Sequence, residues 1–369
     1  MIAYIIRRLL LMIPTLFGIM IINFVVIQAA PGGPVEQTIA KLKGTAIDAT
    51  ARITGGGGSE TSTGTQGPSA TPGEGSQYRG ARGLDPKFIA EIQRMYGFDK
   101  PMHERFLMMM KSYLTFDFGN SYFKGRPVVD LVVEKLPVSI SIGLWAALIS
   151  YAVSIPLGVS KALRDGTPFD FWTSAVIIAG SAIPGYLFAI LLVVLFAGGT
   201  YWSFFPLRGL VSDNWDQLSL FGKVVDYFWH MALPIIAMVI GGFSSLTFLA
   251  KNSFIDQIHL QYVTTARAKG LTETRVLYGH VFRNAMLIVI AGFPSAIISI
   301  LFAEALLIEI IFSLDGLGLL GYEAAINRDY PIMFATLYIF TLIGLVMGLI
   351  GDIMYMLVDP RIDFEARDL

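Results

Sequence analysis

The chain has 369 residues, of which 54% are hydrophobic and only 15% are charged, whereas about a quarter of the residues are charged in a soluble globular protein. This balance argues against a soluble enzyme and indicates a chain that lies largely in lipid. The net charge of −1 shows no basic excess of the kind expected for a nucleic-acid-binding protein. The absence of cysteine excludes disulfides, thiolate metal sites, iron–sulfur clusters and thiol catalysis.

Six stretches without Asp, Glu, Lys or Arg are long enough to cross a membrane, since a helix needs about 20 apolar residues for about 30 Å of hydrocarbon. They are Leu9 to Val35, Leu136 to Ser160, Phe171 to Leu207, Tyr227 to Ala250, Asn284 to Ala303 and Tyr330 to Gly351. Backbone polar groups in lipid must be satisfied within the segment. The sequence therefore predicts an all-α polytopic membrane protein with six transmembrane helices.

Basic residues near the ends of the spans predict the orientation, because Lys and Arg resist translocation. One side of the predicted topology carries Arg7, Arg8, Lys161, Arg164, Lys251, Arg267, Lys269, Arg275, Arg283, Arg361 and Arg367. The two short loops on the other side carry only Arg208, Lys223 and Arg328. Both termini are therefore predicted to be cytoplasmic. The first run is longer than a signal-peptide core, so we interpret it as a retained anchor.

The chain divides into a first span at 1–30, an external region at 31–135, a five-helix core at 136–358 and a cytoplasmic tail at 359–369. Within the external region, the Gly- and Ser-rich insert 54–83 has the composition of a flexible segment. Residues 85–135 are predicted to be helical. Helices are expected from Asp85 to about Tyr96, in a Met-rich stretch after Pro101, and along the surface from Val128 to Val133, where the chain would bend into the second span. In the Met-rich helix, Met102, Phe106, Met109, Met110 and Tyr113 are expected to pack on the membrane-embedded core.

The chain has no P-loop and no nucleophile elbow, so we predict no catalytic residue and no metal site. The segment from Gly316 to Gly321 matches G-x-G-x-x-G, but it follows an apolar span rather than a strand. We interpret it as a tight external turn rather than as a dinucleotide site.

Three acidic residues, Glu304, Glu309 and Asp352, fall in or near the last two spans, where a buried carboxylate is costly. They could make structural contacts or relay protons. No Lys or Arg lies inside the six uncharged runs to complete an ion pair. The structural interpretation is favoured, and the alternative is a proton-coupled secondary peptide carrier that uses Glu304 or Glu309. A polytopic membrane enzyme is a further alternative, but no Ser/His pair supports it.

The loop 251–283 is the only sizeable connection predicted on the cytoplasmic side. Ile255, Ile258, Tyr262 and Ala266 fall on one face of a predicted helix, Gly270 can end that helix, and Thr272 can cap the next. By spacing alone, the loop is either a solvated basic linker or an element that transmits a push from a soluble partner to two spans.

The stretch from Tyr262 to Leu271, followed by His280 and Arg283-Asn284-Ala285, resembles the cytoplasmic coupling signature of peptide-class ABC importer permeases. Thr264 and Thr265 stand where that signature has Glu and its first Ala, whereas Ala266 and Gly270 match it. The resemblance extends over the chain outside the insert. It includes Arg7-Arg8-Leu9-Leu10, Tyr96 to Pro101, Phe116 to Ser121, Ile311 to Gly318 and Asp359-Pro360-Arg361. The insert and residues 29–35 are most similar to the Yej-type branch, which is associated with oligopeptides and antibiotics of the microcin C kind.

The resemblance implies the fold of a type I ABC importer permease, with a helical periplasmic insertion between spans 1 and 2, in the bacterial inner membrane. It implies import of peptides by alternating access, together with a second homologous permease subunit, two cytoplasmic ABC ATPase domains and a periplasmic solute-binding protein. ATP and Mg would be used by the ATPase subunits, and this chain itself would bind no cofactor. The implied ATPase-coupling residues are Tyr262, Thr264, Thr265, Ala266, Arg267, Lys269, Gly270, Arg275 and His280.

Overall fold

The computed structural model describes residues 2–29, 33–35, 38, 90–91, 94, 98–199, 201–299 and 305–358. The expected insert 54–83, most of the expected helix at 85–96, Glu304 and the tail 359–369 lie outside these residues. The helices are α1 (Ile2–Ala29), α2 (Met102–Tyr113), α3 (Val128–Leu163), α4 (Pro168–Ser181), α5 (Gly185–Phe196), α6 (Leu220–Ile258), α7 (Gln261–Ala268), α8 (Glu273–Val276), α9 (Phe282–Ser299), α10 (Ala305–Ile311), α11 (Leu317–Asn327) and α12 (Tyr330–Val358). A short 3₁₀ turn (Trp215–Gln217) precedes α6, and a π-helical turn (Leu277–Val281) joins α8 to α9. The described residues contain no strand, so the all-α prediction is confirmed for them.

Five helical stretches are long and apolar enough to cross a membrane: Tyr4–Ala29, Val128–Leu163, Leu220–Ile258, Glu273–Ile298 and Tyr330–Leu357. A sixth crossing is obtained if α4 and α5 together form one span, and these two helices meet at 87°. The prediction of a single third span from Phe171 to Leu207 is therefore wrong in its geometry. Pro184 explains the break, because it has no N–H to continue a helix and it disfavours helical geometry in the residue before it.

The start of α3 also differs from the prediction. A separate surface helix at 128–133 that bends into the second span is not observed, since α3 runs without interruption from Val128 to Leu163 and includes Pro137 and Pro156. Leu131 and Val132 are 2% and 3% exposed, so this first part of α3 is packed rather than lying free on a surface. The burial of these apolar side chains explains why the helix forms there.

The chain forms two compact units. The larger unit comprises residues 1–12, 135–319 and 340–369. Its core has two apolar clusters. One joins α3, α5, α6 and α10, and includes Ile142, Ala146, Leu192, Met231 and Phe312. The other, which we call the inner coupling cluster, consists of Val159, Ala162, Ala250, Phe254, Val263, Ala266, Val276, Val281, Ala285, Met286 and Val289.

The smaller unit comprises residues 13–134 and 320–339 and is rich in aromatic contacts. Phe24 stacks on Phe334 with ring centroids 5.5 Å apart, and its ring also meets Phe106 edge-on at 5.2 Å. The Met-rich helix α2 begins after Pro101 as predicted, but its expected apolar face is only partly covered: Tyr113 is buried, whereas Met102 is 48% exposed. Burial raises the pKa of the Tyr113 hydroxyl above its ordinary value.

Candidate coupling site

The coupling segment, residues 259–281, begins with a break rather than with the continuous helix expected over Ile255 to Ala266. Helix α6 ends at Ile258, and Leu260 adopts an extended conformation (φ −76°, ψ 152°) from which α7 begins. The Tyr262 hydroxyl donates a hydrogen bond of 2.9 Å to the Gln257 side-chain oxygen across this break. The long helix α6 and the short helix α7 are therefore joined at a defined corner.

One face of α7 is buried in the larger unit. Val263 is fully buried and Ala266 is 7% exposed, and both belong to the inner coupling cluster together with Phe254 of α6 and Val276 of α8. The resemblance implies a coupling role for Ala266. In the structure its methyl group packs on the chain's own helices and holds α7 against them.

The coupling segment also carries exposed residues. They are Thr264 and Thr265 on α7, Lys269 and Gly270 in the following turn, Arg275 on α8 and His280 on the π-helical turn. Two of these side chains are small hydroxyl groups and one residue has no side chain, so another backbone could approach closely. The Lys and Arg side chains make this exposed surface basic.

Gly270 forms the bend between α7 and α8, with a φ of +80°. The N–H of Gly270 donates to the Arg267 carbonyl at 2.9 Å, and the N–H of Leu271 donates to the Ala266 carbonyl at 3.4 Å. This pair of hydrogen bonds is the Schellman arrangement that satisfies the last carbonyls of a helix. The glycine stop was therefore predicted correctly. Thr272 does occupy the N-cap position of α8, but its side chain makes no capping hydrogen bond.

An ion pair crosses this bend. The Arg267 guanidinium donates two hydrogen bonds to the Glu273 carboxylate, at 2.9 and 3.1 Å. Both side chains are substantially exposed, at 45% and 72%, so the pair contributes less than about 1 kcal/mol to stability. The ion pair does fix the direction of the Arg267 side chain. The sequence had indicated only that Arg267 contacts a partner.

The segment rejoins the long helices through the π-helical turn Leu277–Val281, on which His280 is exposed. Such turns are found frequently at functional sites. The Ser253 hydroxyl of α6 donates a hydrogen bond of 2.6 Å to the Ala285 carbonyl of α9. The coupling segment is thus held between two long helices that are themselves joined.

The family described as "Binding-protein-dependent transport system inner membrane component" matches residues 154–364, which contain the whole coupling segment. The chain belongs to this family. The permease is 60% identical over 367 residues to the peptidoglycan transport system permease protein YejB of Agrobacterium fabrum, covering 100% of both chains. It is 58% identical to the inner membrane ABC transporter permease protein YejB of Escherichia coli, covering 99% of this chain and 100% of that one.

More distant relatives include the oligopeptide transport system permease protein AppB of Bacillus subtilis, which is 31% identical over 99% of this chain and 100% of its own. Among solved structures, the MetNI methionine ABC transporter in inward-facing conformations matches with a TM-score of 0.48 and 15% identity, over 62% of this chain and 97% of that one. The permease is accordingly a multi-pass inner-membrane subunit of an ABC importer. Subunits of this family are not themselves enzymes.

Of the three acidic residues singled out in the sequence, the structure describes Glu309 and Asp352, and both have partners within the permease. Glu309 is fully buried. It accepts hydrogen bonds from the Ser139 hydroxyl at 2.9 Å and from the Leu319 N–H at 2.8 Å. Asp352 forms an ion pair of 2.8 Å with Arg8 of α1 and accepts a hydrogen bond of 3.0 Å from the Tyr4 hydroxyl. The sequence placed no Lys or Arg inside a span, whereas in the structure Arg8 lies within the first membrane-spanning helix and pairs with Asp352.

Several residues of the coupling segment were missed from the sequence. Two of them act within the chain: Val263 anchors α7, and Glu273 holds Arg267. The other two, Leu260 and Tyr278, are apolar or aromatic residues that are 44% and 61% exposed. The period of the apolar residues could have identified Val263. No local pattern predicts the pairing of Arg267 with Glu273, because the turn at Gly270 brings them together.

Proposed function

We propose that this permease subunit conducts oligopeptides or closely related peptide-like compounds into the cytoplasm by alternating access. The names of its relatives support this substrate class, since they refer to peptidoglycan transport and to oligopeptide transport. Fragments of peptidoglycan contain short peptides, so the two names describe related chemistry. Peptide–nucleotide conjugates of the microcin C kind belong to the same proposed class.

The proposed energy source is ATP hydrolysis by partner subunits. In this proposal the permease pairs with a second homologous permease, two cytoplasmic ATPase domains that use ATP and Mg, and a periplasmic solute-binding protein. The observation that carries the proposal is the two-sided geometry of α7. Its inward face is fixed by Val263 and Ala266, while Thr264, Thr265 and Lys269 stand exposed on the other side. A push on the exposed face must be transmitted to α3, α6 and α9, because close-packed interiors yield little.

The docking residues are Thr264, Thr265, Lys269, Gly270, Arg275 and His280, which are exposed to the partner. Tyr262 and Arg267 shape this surface through their bonds to Gln257 and Glu273. Ala266 acts from behind by holding α7 in place. The groove beside the bend, with a volume of about 190 Å³, is lined in part by Tyr278, Leu277 and Leu163 and has room for one apolar side chain of the ATPase.

The docking role is tested with Thr264→Trp, which adds bulk to the exposed face of α7 without changing its backbone. The matched control is Asn252→Trp, at an exposed position on α6 outside the coupling segment. We expect the first variant to abolish ATPase stimulation by the loaded binding protein in the assembled complex, and the second to retain it. Full stimulation in Thr264→Trp would refute the docking role.

The substrate class is tested in proteoliposomes that contain the whole complex, with radiolabelled trialanine and the tripeptide stem of peptidoglycan as probes. Uptake of at least one probe should require ATP and both permease subunits. Uptake by the single chain under a proton gradient, without ATP, would establish a secondary carrier instead. ATP-dependent uptake of neither probe would overturn the proposed substrate class.

A further inference from the structure

Lys161, in the last turn of α3, is a fully buried lysine. Its ammonium group donates hydrogen bonds to the Asp170 carbonyl at 3.0 Å, to the Thr173 hydroxyl at 2.9 Å and to the Ser174 hydroxyl at 2.6 Å. The Asp170 carboxylate lies 3.0 Å away. A buried charge is tolerated only when it is paired and hydrogen-bonded. All three acceptors lie in the first two turns of α4, so Lys161 ties the end of α3 to the start of α4.

A second lysine approaches the same carboxylate from another helix. Lys251 of α6 lies 2.7 Å from the second Asp170 oxygen and 2.8 Å from the Asp165 carboxylate in the turn between α3 and α4. Two lysines and two aspartates therefore balance one another in charge. We call Lys161, Asp165, Asp170 and Lys251 the ionic cluster. It joins the ends of α3 and α6 to the beginning of α4.

The rest of α4 has few apolar anchors. Only Asp170 and Ile177 are buried in this helix, while Phe171, Trp172 and Val176 are each about two-thirds exposed, at 66%, 67% and 69%. Apolar burial is the usual means of holding a helix in place. In α4 the ionic cluster takes over much of that role.

The ionic cluster lies next to the inner coupling cluster along the chain. Val159 and Ala162 flank Lys161 on α3, Ala250 precedes Lys251 on α6, and all three pack with Val263 and Ala266 of α7. At Gly158 the two long helices approach so closely that an added Cβ would stand 2.6 Å from the Ala250 Cβ. The ends of α3 and α6 therefore form one rigid base, with α7 attached by apolar contacts and α4 attached by charges.

We propose that Lys161, Asp170 and Lys251 are positioning residues that carry a displacement of the coupling segment to α4, and through its 87° bend to α5. This inference rests on the proposed docking of α7 on an ATPase. Without the ionic cluster, α7 can still move the ends of α3 and α6. Helix α4 then follows less closely, because Ile177 is the only apolar residue buried in this helix.

The test uses the complete importer in nanodiscs and measures a distance by electron spin resonance. The chain has no cysteine, so spin labels at Val176→Cys on α4 and Leu10→Cys on α1 are the only ones it carries. Both positions are exposed, at 69% and 61%. The 176–10 distance is measured without nucleotide and after trapping with ATP and vanadate, in the otherwise unchanged chain and with Lys161→Met. Lys161→Met removes the buried charge and leaves Asp170 paired with Lys251.

We expect Lys161→Met to leave ATPase activity largely unchanged, since the exposed docking residues of α7 and their apolar anchors remain in place, but to lose most of the nucleotide-dependent distance shift. The matched control is Lys135→Met, which removes a buried lysine that pairs with Asp315 at the other end of α3. It should retain the shift. A shift of full size in Lys161→Met, or an equal loss in the control, overturns the inference. The absence of any shift in the unchanged complex would instead refute the proposed function.

Discussion

The Ser139 hydroxyl donates a hydrogen bond of 2.9 Å to the Glu309 carboxyl group and accepts one of 2.8 Å from the Leu317 N–H. The other Glu309 oxygen accepts from the Leu319 N–H at 2.8 Å. Glu309 thereby occupies the N-terminus of α11, where free N–H groups favour a negatively charged partner. A Cβ at Gly316 would overlap this carboxyl group and one at Gly318 would crowd it, which explains the first two glycines of the G-x-G-x-x-G segment. The segment holds the chain's own carboxyl group rather than a dinucleotide.

Replacing Glu309 is expected to destabilise the permease rather than to remove a proton pathway. Glu309→Ala leaves the Ser139 hydroxyl and the Leu319 N–H without their acceptor, and a buried donor left without a partner costs about 1–3 kcal/mol. The apparent unfolding temperature of the complex, compared at one heating rate, should fall. Transport per folded complex should remain ATP-dependent and unaffected by a pH gradient. A loss of transport with unchanged stability would support the proton-carrier alternative.

The bend at Gly270 gives a second prediction. At a φ of +80°, an alanine is strained by roughly 1–2 kcal/mol, whereas asparagine tolerates this conformation better. No atom lies within 4 Å of an added Cβ, so the effect reports the backbone alone. We expect Gly270→Ala to weaken ATPase stimulation more than Gly270→Asn does. Equal effects of the two variants would show that the bend itself is unimportant.

The close approach of α3 and α6 gives a third prediction. An alanine at Gly158 would place its Cβ 2.6 Å from the Ala250 Cβ and 2.8 Å from the Thr247 carbonyl. Such overpacking typically costs about 1–3 kcal/mol. Gly158→Ala should lower the apparent unfolding temperature, and Ala250→Gly should rescue part of the loss. Gly242→Ala on α6, where no atom lies within 4 Å of the new Cβ, is the control and should be neutral or stabilising.

The ion pair across the bend gives a fourth prediction, in a double-mutant cycle of Arg267→Ala and Glu273→Ala. Because both side chains are exposed, the coupling energy for stability should be below about 1 kcal/mol. If Arg267 is held in place for the partner, Glu273→Ala should still reduce binding of the ATPase subunit, measured as an affinity at low and at moderate salt. An unchanged affinity would show that the Arg267–Glu273 ion pair plays no part in binding the ATPase subunit.

The elements that were predicted correctly depend on local properties. Helical structure, the start of α2 after Pro101 and the glycine stop at Gly270 all follow from hydropathy and backbone preferences within a few residues. The errors have a different origin. The third apolar run did not reveal the 87° bend at Pro184, since hydropathy reports how apolar a segment is and not the direction of its helix axis. The motif likewise did not show that Ala266 is buried, because a motif gives spacing and does not say which side of a helix faces the interior.

Hydrophobicity and φ preferences, which act along the chain, were enough to predict a helical membrane protein with a loop bent at Gly270. Which polar groups meet depends on the tertiary structure. Ser139 and Glu309, Arg8 and Asp352, and Lys161 and Asp170 are joined by helix packing. Their contacts depend on which side of each helix faces its neighbour, and composition carries no information about that direction. The same packing separates the buried face of α7 from the exposed face available to a partner.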